Sequence, residues 1–307
     1  MRMAKENENA EKLFRKRNLV YMTIIVLIIL ILIVVIFWQI YPNNTSKPKA
    51  AVIDQLGSSL LNEAVRYENQ TFIQTAKQLL YEKFSIVDYY SNNATVDEYK
   101  NLASRGYKLI VWRAHSALDI DLKFIAISTS EKYNSKKYHT YLNNGQLTVC
   151  NISGYLYFGI TPKFVEEIMN GKFEDTVIIF MSCNGLKPGY CQTAEAFRVK
   201  GVKVFLSWDG WIHPRDNDNS IELLLKYLII ENRTIGEAVN NIPISSSEFG
   251  LAKLSYYPTT SEAEGYIIPD YRETNLTGNT WFIVRVIDGE NFKLANLSDA
   301  LLVSRLS

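Results

Sequence analysis

The sequence predicts an α/β fold built on a mostly parallel sheet, preceded by one transmembrane helix and followed by a β-rich extension. Three patterns predict it: an uncharged apolar run from Leu19 to Trp38, alternating strand-like and helix-like segments over 50–243, and strand-like runs within 244–307. Alternation of strands and helices is typical of a parallel sheet covered by helices. The formal charge is only +1 over 307 residues, which argues against a nucleic-acid partner.

The apolar run is long enough to cross a membrane as a helix. Spanning the hydrocarbon core takes about 20 mostly apolar residues, and aromatic residues such as Trp38 and Tyr41 prefer the ends of such a helix. Lysine and arginine are denser before the run than after it. We therefore predict a helix at 19–41 in the lipid bilayer of the cell membrane, a cytosolic basic tail at 1–18, and a remainder that faces outward. A cleaved signal peptide is the alternative, although no A-x-A-like site follows the run.

Acceptor sequences for N-glycosylation agree with this orientation, because none precedes the apolar run. The sequence therefore predicts a glycoprotein. The acceptors are Asn43, Asn44, Asn69, Asn93, Asn151, Asn232, Asn275 and Asn296.

A polar, turn-rich linker at 42–49 precedes the alternating region. Thr95 or Asp97 can cap a helix that ends near Gly106, and Pro162 suits a first helical turn. Strands are predicted at 50–56, 85–90, 108–115, 122–128, 147–158, 177–183 and 202–207, and helices at 72–84, 162–170, 193–200 and 220–231. The extension at 244–307 carries further strand-like runs at 281–287 and 292–297, and it either packs on the sheet or forms a small separate module.

Two of the hydrophobic strands end in reactive side chains, His115 and Cys183. Neighbouring parallel strands bring their carboxyl ends to one edge of a sheet, so a nucleophile and a base can meet there. A buried cysteine or a lone histidine is often only structural, but the matched positions favour a cysteine hydrolase. His139 and His213 fall in polar or turn-like segments, and we expect no role for them.

The chemistry of such a pair follows from the thiol. A free thiol has a pKa of about 8.5, so His115 must lower that pKa or accept the proton of Cys183. The backbone N–H groups of Cys183 and Ser116 can stabilise the oxyanion, and Gly185 can allow a tight turn that exposes the sulfur.

The sequence also contains Cys150 and Cys191. An oxidising compartment favours pairing two of the three cysteines. A Cys150–Cys191 pair leaves the nucleophile free, whereas a Cys183–Cys191 pair removes it.

The order of these segments resembles a known family. A strand ending in histidine is followed by a strand ending in Ser182-Cys183-Asn184-Gly185, an Ala-rich helix at 193–200, and a strand ending in Trp208. This looks like the caspase-like (clan CD) cysteine peptidases, nearest the branch of separases and CHAT domains. The resemblance covers about 50–243, and it implies a caspase-like three-layer sandwich around the sheet.

The resemblance also implies an activity. It implies that a Cys183/His115 dyad cleaves a peptide bond of a protein or peptide substrate without an obligatory third residue. In the separase-like branch an acid after the Trp strand binds a basic P1 residue, so Asp209, or Asp216 and Asp218 in the following loop, would favour Arg or Lys. The alternative is that these aspartates are turn and helix-start residues.

Two function classes therefore stand: a membrane-anchored, outward-facing cysteine endopeptidase, and a catalytically inactive caspase-like ectodomain that serves protein binding or adhesion. The second is kept because Ala114 and Ser116 flank His115 where the family usually carries a glycine. No zinc-ligand spacing, P-loop or dinucleotide fingerprint occurs, so we expect no cofactor and no metal.

Overall fold

The computed structural model describes residue 22, residues 28–31 and residues 47–272. Residues 28–31 are helical, and the segment up to Ser46 forms a unit separate from the one that begins at Lys47. The second unit is a mixed α/β structure with two main sheets.

The larger sheet has six strands in the order β12-β9-β8-β3-β1-β2. Its strands are parallel except β12, which pairs antiparallel with β9 at one edge. Central parallel strands are covered on both faces and therefore consist almost entirely of apolar residues. The strands of this sheet are β1 Lys49–Asp54, β2 Val87–Tyr90, β3 Tyr107–Arg113, β8 Thr176–Met181, β9 Val202–Trp208 and β12 Leu254–Tyr257.

Helices cover both faces of this sheet. The helices are α1 Gln70–Tyr81, α2 Val96–Asn101, α3 His139–Asn143, α4 Pro162–Glu167, α5 Gln192–Val199, α6 Pro214–Leu225, α7 Ile235–Asn240 and α8 Ser261–Glu264. Alternate strand residues point to opposite faces. Val111 packs with α1, α6 and α7 in one core, and Trp112 packs with α2, α4 and α5 in the other.

The second sheet is antiparallel, in the order β4-β5-β7-β6. Its strands are β4 Ser116–Asp119, β5 Phe124–Lys132, β6 Leu147–Ile152 and β7 Tyr155–Ile160. β4 begins three residues after the end of β3, so the chain passes from one sheet to the other through Ala114 and His115. The last short strands are β10 Ser245–Ser247 and β11 Gly250–Ala252, which form a hairpin.

Helix starts follow local capping chemistry. The side chains of Asn69, Thr95 and Thr161 accept hydrogen bonds from backbone N–H groups in the first turns of α1, α2 and α4. Helix α6 begins at Pro214, earlier than the predicted start at residue 220, because proline at the first helical position needs no N–H partner. Asp216 and Asp218 therefore lie in a helix and not in a loop.

The predicted fold class was wrong in one part, the preceding transmembrane helix. In the part of the chain that the structure describes, no helix is long and apolar enough to cross a membrane. Apart from residue 22 and residues 28–31, the predicted span at 19–41 lies outside the described residues. The cell-membrane location and orientation inferred from that span stay predictions.

The predicted β-rich extension at 244–307 lies only partly within the described residues, and β10, β11 and β12 fall in that part. β12 completes the edge of the main sheet by pairing Leu254 with Trp208, and α8 follows it. The strand-like runs at 281–287 and 292–297 lie outside the described residues.

A fully buried ion network joins three elements of the larger sheet and its helices. Arg113 at the end of β3 forms an ion pair with Asp54 at the end of β1 and a bidentate pair with Asp218 of α6, at 2.9 and 3.0 Å. Asn69 donates a further hydrogen bond of 2.9 Å to Asp218. Burial raises the pKa of both carboxyl groups, and the guanidinium opposes that rise. Removing one partner would leave buried charge without compensation.

Replacing Arg113 by methionine should therefore lower the free energy of unfolding by roughly 3–5 kcal/mol, the cost of breaking a buried ion pair from one side. Urea unfolding followed by tryptophan fluorescence measures the effect. Arg198→Met is the matched control, because Arg198 pairs with Glu195 in an exposed bidentate contact that water and salt screen. Equal midpoints for the two variants would contradict a structural role for the buried network.

Candidate active site

The pairing of β3 with β8 brings His115 and Cys183 to one edge of the sheet. The two strands are parallel neighbours, and Arg113 lies opposite Met181 in their register. His115 and Cys183 each follow these last paired residues by two positions, so both lie just past the carboxyl ends of central strands. This is where parallel sheets place ligand sites.

One pocket of about 480 Å³ is lined by both side chains. Its size lies in the range of small-molecule and peptide side-chain sites. His115 and Cys183 are each partly buried, so the pocket reaches reactive groups that remain open to a ligand. The sequence-predicted dyad residues are therefore neighbours in a concave site.

The ring of His115 is held by the loop between β1 and α1. Its Nε2 lies 2.7 Å from the carbonyl oxygen of Val65. A carbonyl oxygen only accepts, so Nε2 carries the hydrogen and, in the neutral ring, Nδ1 is left as a proton acceptor. Burial lowers the pKa of His115 below its usual value, against the opposing effect of this hydrogen bond. The imidazole is therefore neutral at pH 7.

The backbone of His115 is fixed as well. Its N–H donates to Oε1 of Gln55 at 2.9 Å, and Nε2 of the same glutamine donates to the Thr129 carbonyl at 3.1 Å. Gln55 is fully buried. Its side-chain amide therefore supplies hydrogen bonds to the backbone at the point where the chain leaves the main sheet.

Cys183 rests as a thiol. Its Sγ lies 3.5 Å from the carbonyl oxygen of Ile212, to which the thiol donates. Burial raises the pKa of Cys183 above its usual value, so the thiolate is scarce at neutral pH. Both pKa shifts therefore favour an uncharged thiol and an uncharged imidazole over a thiolate and an imidazolium.

The turn after Cys183 is fastened to the end of β9. Asn184 adopts a left-handed conformation with φ of 57° and donates its N–H to the Gly210 carbonyl at 2.8 Å. The sequence suggested that Gly185 allows this tight turn, but the left-handed residue is Asn184. A Cβ at Gly185 would collide with the side chain of Ser207, so this glycine is required by close packing.

Ser116 lies against the nucleophile turn. Its hydroxyl donates to the Cys183 carbonyl at 2.7 Å. The Ser128 N–H bonds the His115 carbonyl at 2.9 Å, and hydrogen-bonded and non-bonded pairs alternate in an antiparallel ladder. The next residue, Ser116, therefore points its N–H away from β5 and does not use it in this ladder.

The aspartates expected to bind a basic substrate residue lie elsewhere. Asp218 is buried, and both of its oxygens are taken by Arg113. Asp209 accepts the Lys253 N–H at 2.7 Å and so fastens the end of β9 to the strand beside it. Asp216 lies in the first turn of α6 and, like the other two, does not line the pocket.

The remaining thiols and imidazoles are not among the residues that line the pocket. Cys150 is fully buried, Cys191 precedes α5, and all three cysteines are free thiols in the described region. His139 and His213 are exposed, and His213 lies 3.2 Å from Glu248. No group of three His, Cys, Asp or Glu residues that could hold a metal ion occurs within the described ranges.

Sequence reasoning did not find Val65 and Gln55. Val65 acts through its backbone oxygen, which no side-chain pattern identifies. Gln55 follows the apolar strand β1 directly, and a polar residue there signals a contact at the strand end. Arg113 carried a clearer signal, because a charge directly after the apolar run at 109–112 needs a buried acidic partner.

Comparison with known proteins adds no relative: no protein-family model matches the chain, and no curated protein matches it significantly.

The protonation states of the dyad lead to a testable pH dependence. Because burial raises the pKa of Cys183, iodoacetamide labelling of this thiol should increase by about tenfold per pH unit from pH 6 to beyond pH 8, without a plateau. Labelling of Cys150 should be slower still, because burial raises its pKa to about 12. Peptide mass mapping gives each rate. A plateau for Cys183 below pH 7 would contradict the neutral pair.

Proposed function

We propose that this protein is a cysteine endopeptidase of the caspase-like type, in which Cys183 is the nucleophile and His115 the general base. The observation that carries the proposal is a single pocket lined by both side chains, at the carboxyl ends of neighbouring parallel strands. The Val65 carbonyl supports it, because it leaves Nδ1 of the imidazole as the proton acceptor.

In the first step Cys183 Sγ attacks the carbonyl carbon of the substrate, and Nδ1 of His115 takes the thiol proton. Proton transfer during attack suits the neutral resting pair, since the lowered pKa keeps His115 able to accept at pH 7. The negative charge that develops on the substrate oxygen is stabilised by the N–H groups of Cys183 and Ser116.

In the second step the C–N bond breaks, and the imidazolium of His115 gives its proton to the leaving amine. An acyl group then remains on Cys183. A water molecule, deprotonated by His115, attacks this thioester, and the thiolate leaves and recovers the proton. No group outside the dyad and the backbone donors is required.

A specific observation favours the second candidate, an inactive binding domain. The thiol of Cys183 donates to the Ile212 carbonyl, and burial raises its pKa rather than lowering it. In that function the same pocket would bind a peptide without cleaving it. Turnover therefore separates the two candidates better than thiol reactivity.

The experiment is incubation of the full chain with a complex peptide mixture, with new termini identified by mass spectrometry. We expect cleavage by the wild type, and a loss of about 10²-fold or more in both Cys183→Ala and His115→Ala, which remove the nucleophile and the base. Because burial lowers the pKa of His115, activity should persist at pH 6.5 and fall only at lower pH, where the protonated imidazole cannot accept the thiol proton.

Cys191→Ala and His139→Ala are the matched controls, since each changes the same residue type away from the pocket. Both should keep wild-type turnover. Cleavage that persists in Cys183→Ala would rule out this nucleophile, and intact peptides in the presence of folded wild type would leave the binding domain as the function.

A further inference from the structure

The pocket that reaches Cys183 carries no charged side chain. Its inner wall includes Leu56, Met181 and Ile212, which are only 4%, 1% and 5% exposed, and its mouth is bordered by Leu118, Val149 and Trp211. Apart from His115 and Cys183, the polar groups that line it are neutral hydroxyls and amides. A charged substrate side chain would lose its hydration here and gain no ionic partner.

The buried ionic groups at the ends of β1 and β3 and in α6 are already engaged. Arg113 is fully buried between Asp54 and Asp218, so neither its charge nor theirs is available to a ligand. Asn217, which lines the pocket, uses its Oδ1 to accept the indole N–H of Trp208 at 2.9 Å. The wall therefore lacks the carboxylate that a basic residue needs and the cation that an acidic one needs.

Apolar surface continues outward from the mouth of the pocket. Trp211 packs against Phe249 of the β10–β11 hairpin, with ring centroids 4.9 Å apart. Both rings remain more than half exposed, at 51% and 60%, although burying aromatic surface is favourable. Within the described region this exposed pair is an apolar contact surface next to the reactive thiol.

We propose that the Cys183 pocket selects a substrate residue with an uncharged, apolar side chain of the size of Leu, Met or Phe on the acyl side of the cleaved bond. This specificity rests on the proposed peptidase function. Transfer of an apolar side chain onto the Leu56, Met181 and Ile212 wall is favourable, whereas Arg, Lys, Asp and Glu would be buried without a partner.

The test uses peptidyl acyloxymethyl ketones of one sequence that differ only in the residue next to the ketone: Leu, Met, Arg, Lys or Asp. Attack by Cys183 forms a C–S bond and expels the carboxylate, so the adduct is read by intact mass. The Leu and Met probes should label the full chain at least roughly 100-fold faster than the charged ones, because an unpaired buried charge is strongly rejected.

Two results tell a failure of the proposed specificity apart from a failure of the proposed peptidase function. Labelling that depends on His115 but is fastest with Arg, Lys or Asp would overturn the apolar pocket and leave the peptidase standing. Labelling that is unchanged in His115→Ala, or absent with every probe, would overturn both.

A charge placed at the mouth gives a second, independent test. Val149→Asp puts a carboxylate on a pocket residue that is 36% exposed, so the fold should tolerate it. We expect the Arg probe to gain roughly two- to fivefold over the Leu probe, as a solvent-exposed ion pair provides. Leu122→Asp, exposed and outside the pocket lining, should leave the ratio unchanged. No shift in Val149→Asp, or an equal shift in the control, would contradict the pocket as the specificity site.

Discussion

The buried guanidinium of Arg113 is the interaction on which the candidate site depends. It joins the end of β1, the end of β3 and the start of α6 through Asp54 and Asp218, and none of the three side chains reaches water. Such a network is costly to bury and is stable only when all partners are present. Because Arg113 lies two residues before His115, the same contacts fix where the chain leaves the main sheet.

The geometry of the site depends on where the chain leaves the main sheet. Gln55 bonds the His115 backbone, Val65 orients the ring, and Ser116 fastens the turn that carries Cys183. Each of these contacts comes from a segment that a strand end positions. The pocket is therefore a product of strand ends meeting at one edge, as in other parallel sheets, and of the second sheet that begins there.

The electrostatics of the pocket are set by exclusion of water more than by charge. Burial raises the pKa of Cys183 and lowers that of His115, so both shifts favour the neutral forms. The absence of ionic groups among the lining residues has the same effect on a ligand. A site of this kind suits a reaction in which charge appears only as the bond forms, where fixed backbone N–H groups can stabilise it.

Hydrophobic patterning and capping residues were enough to predict most strands and helices of the α/β region and to select His115 and Cys183, because buried strands and helix starts are encoded locally. Local sequence did not reveal that β12 completes the main sheet, that Asp218 serves Arg113 rather than a substrate, or that the Val65 carbonyl holds the histidine. Each depends on residues distant in the chain. The sequence thus determined which groups could react, whereas only the tertiary structure decided which charges are already paired and which surface a substrate would meet, since pairing and burial are properties of the packed chain.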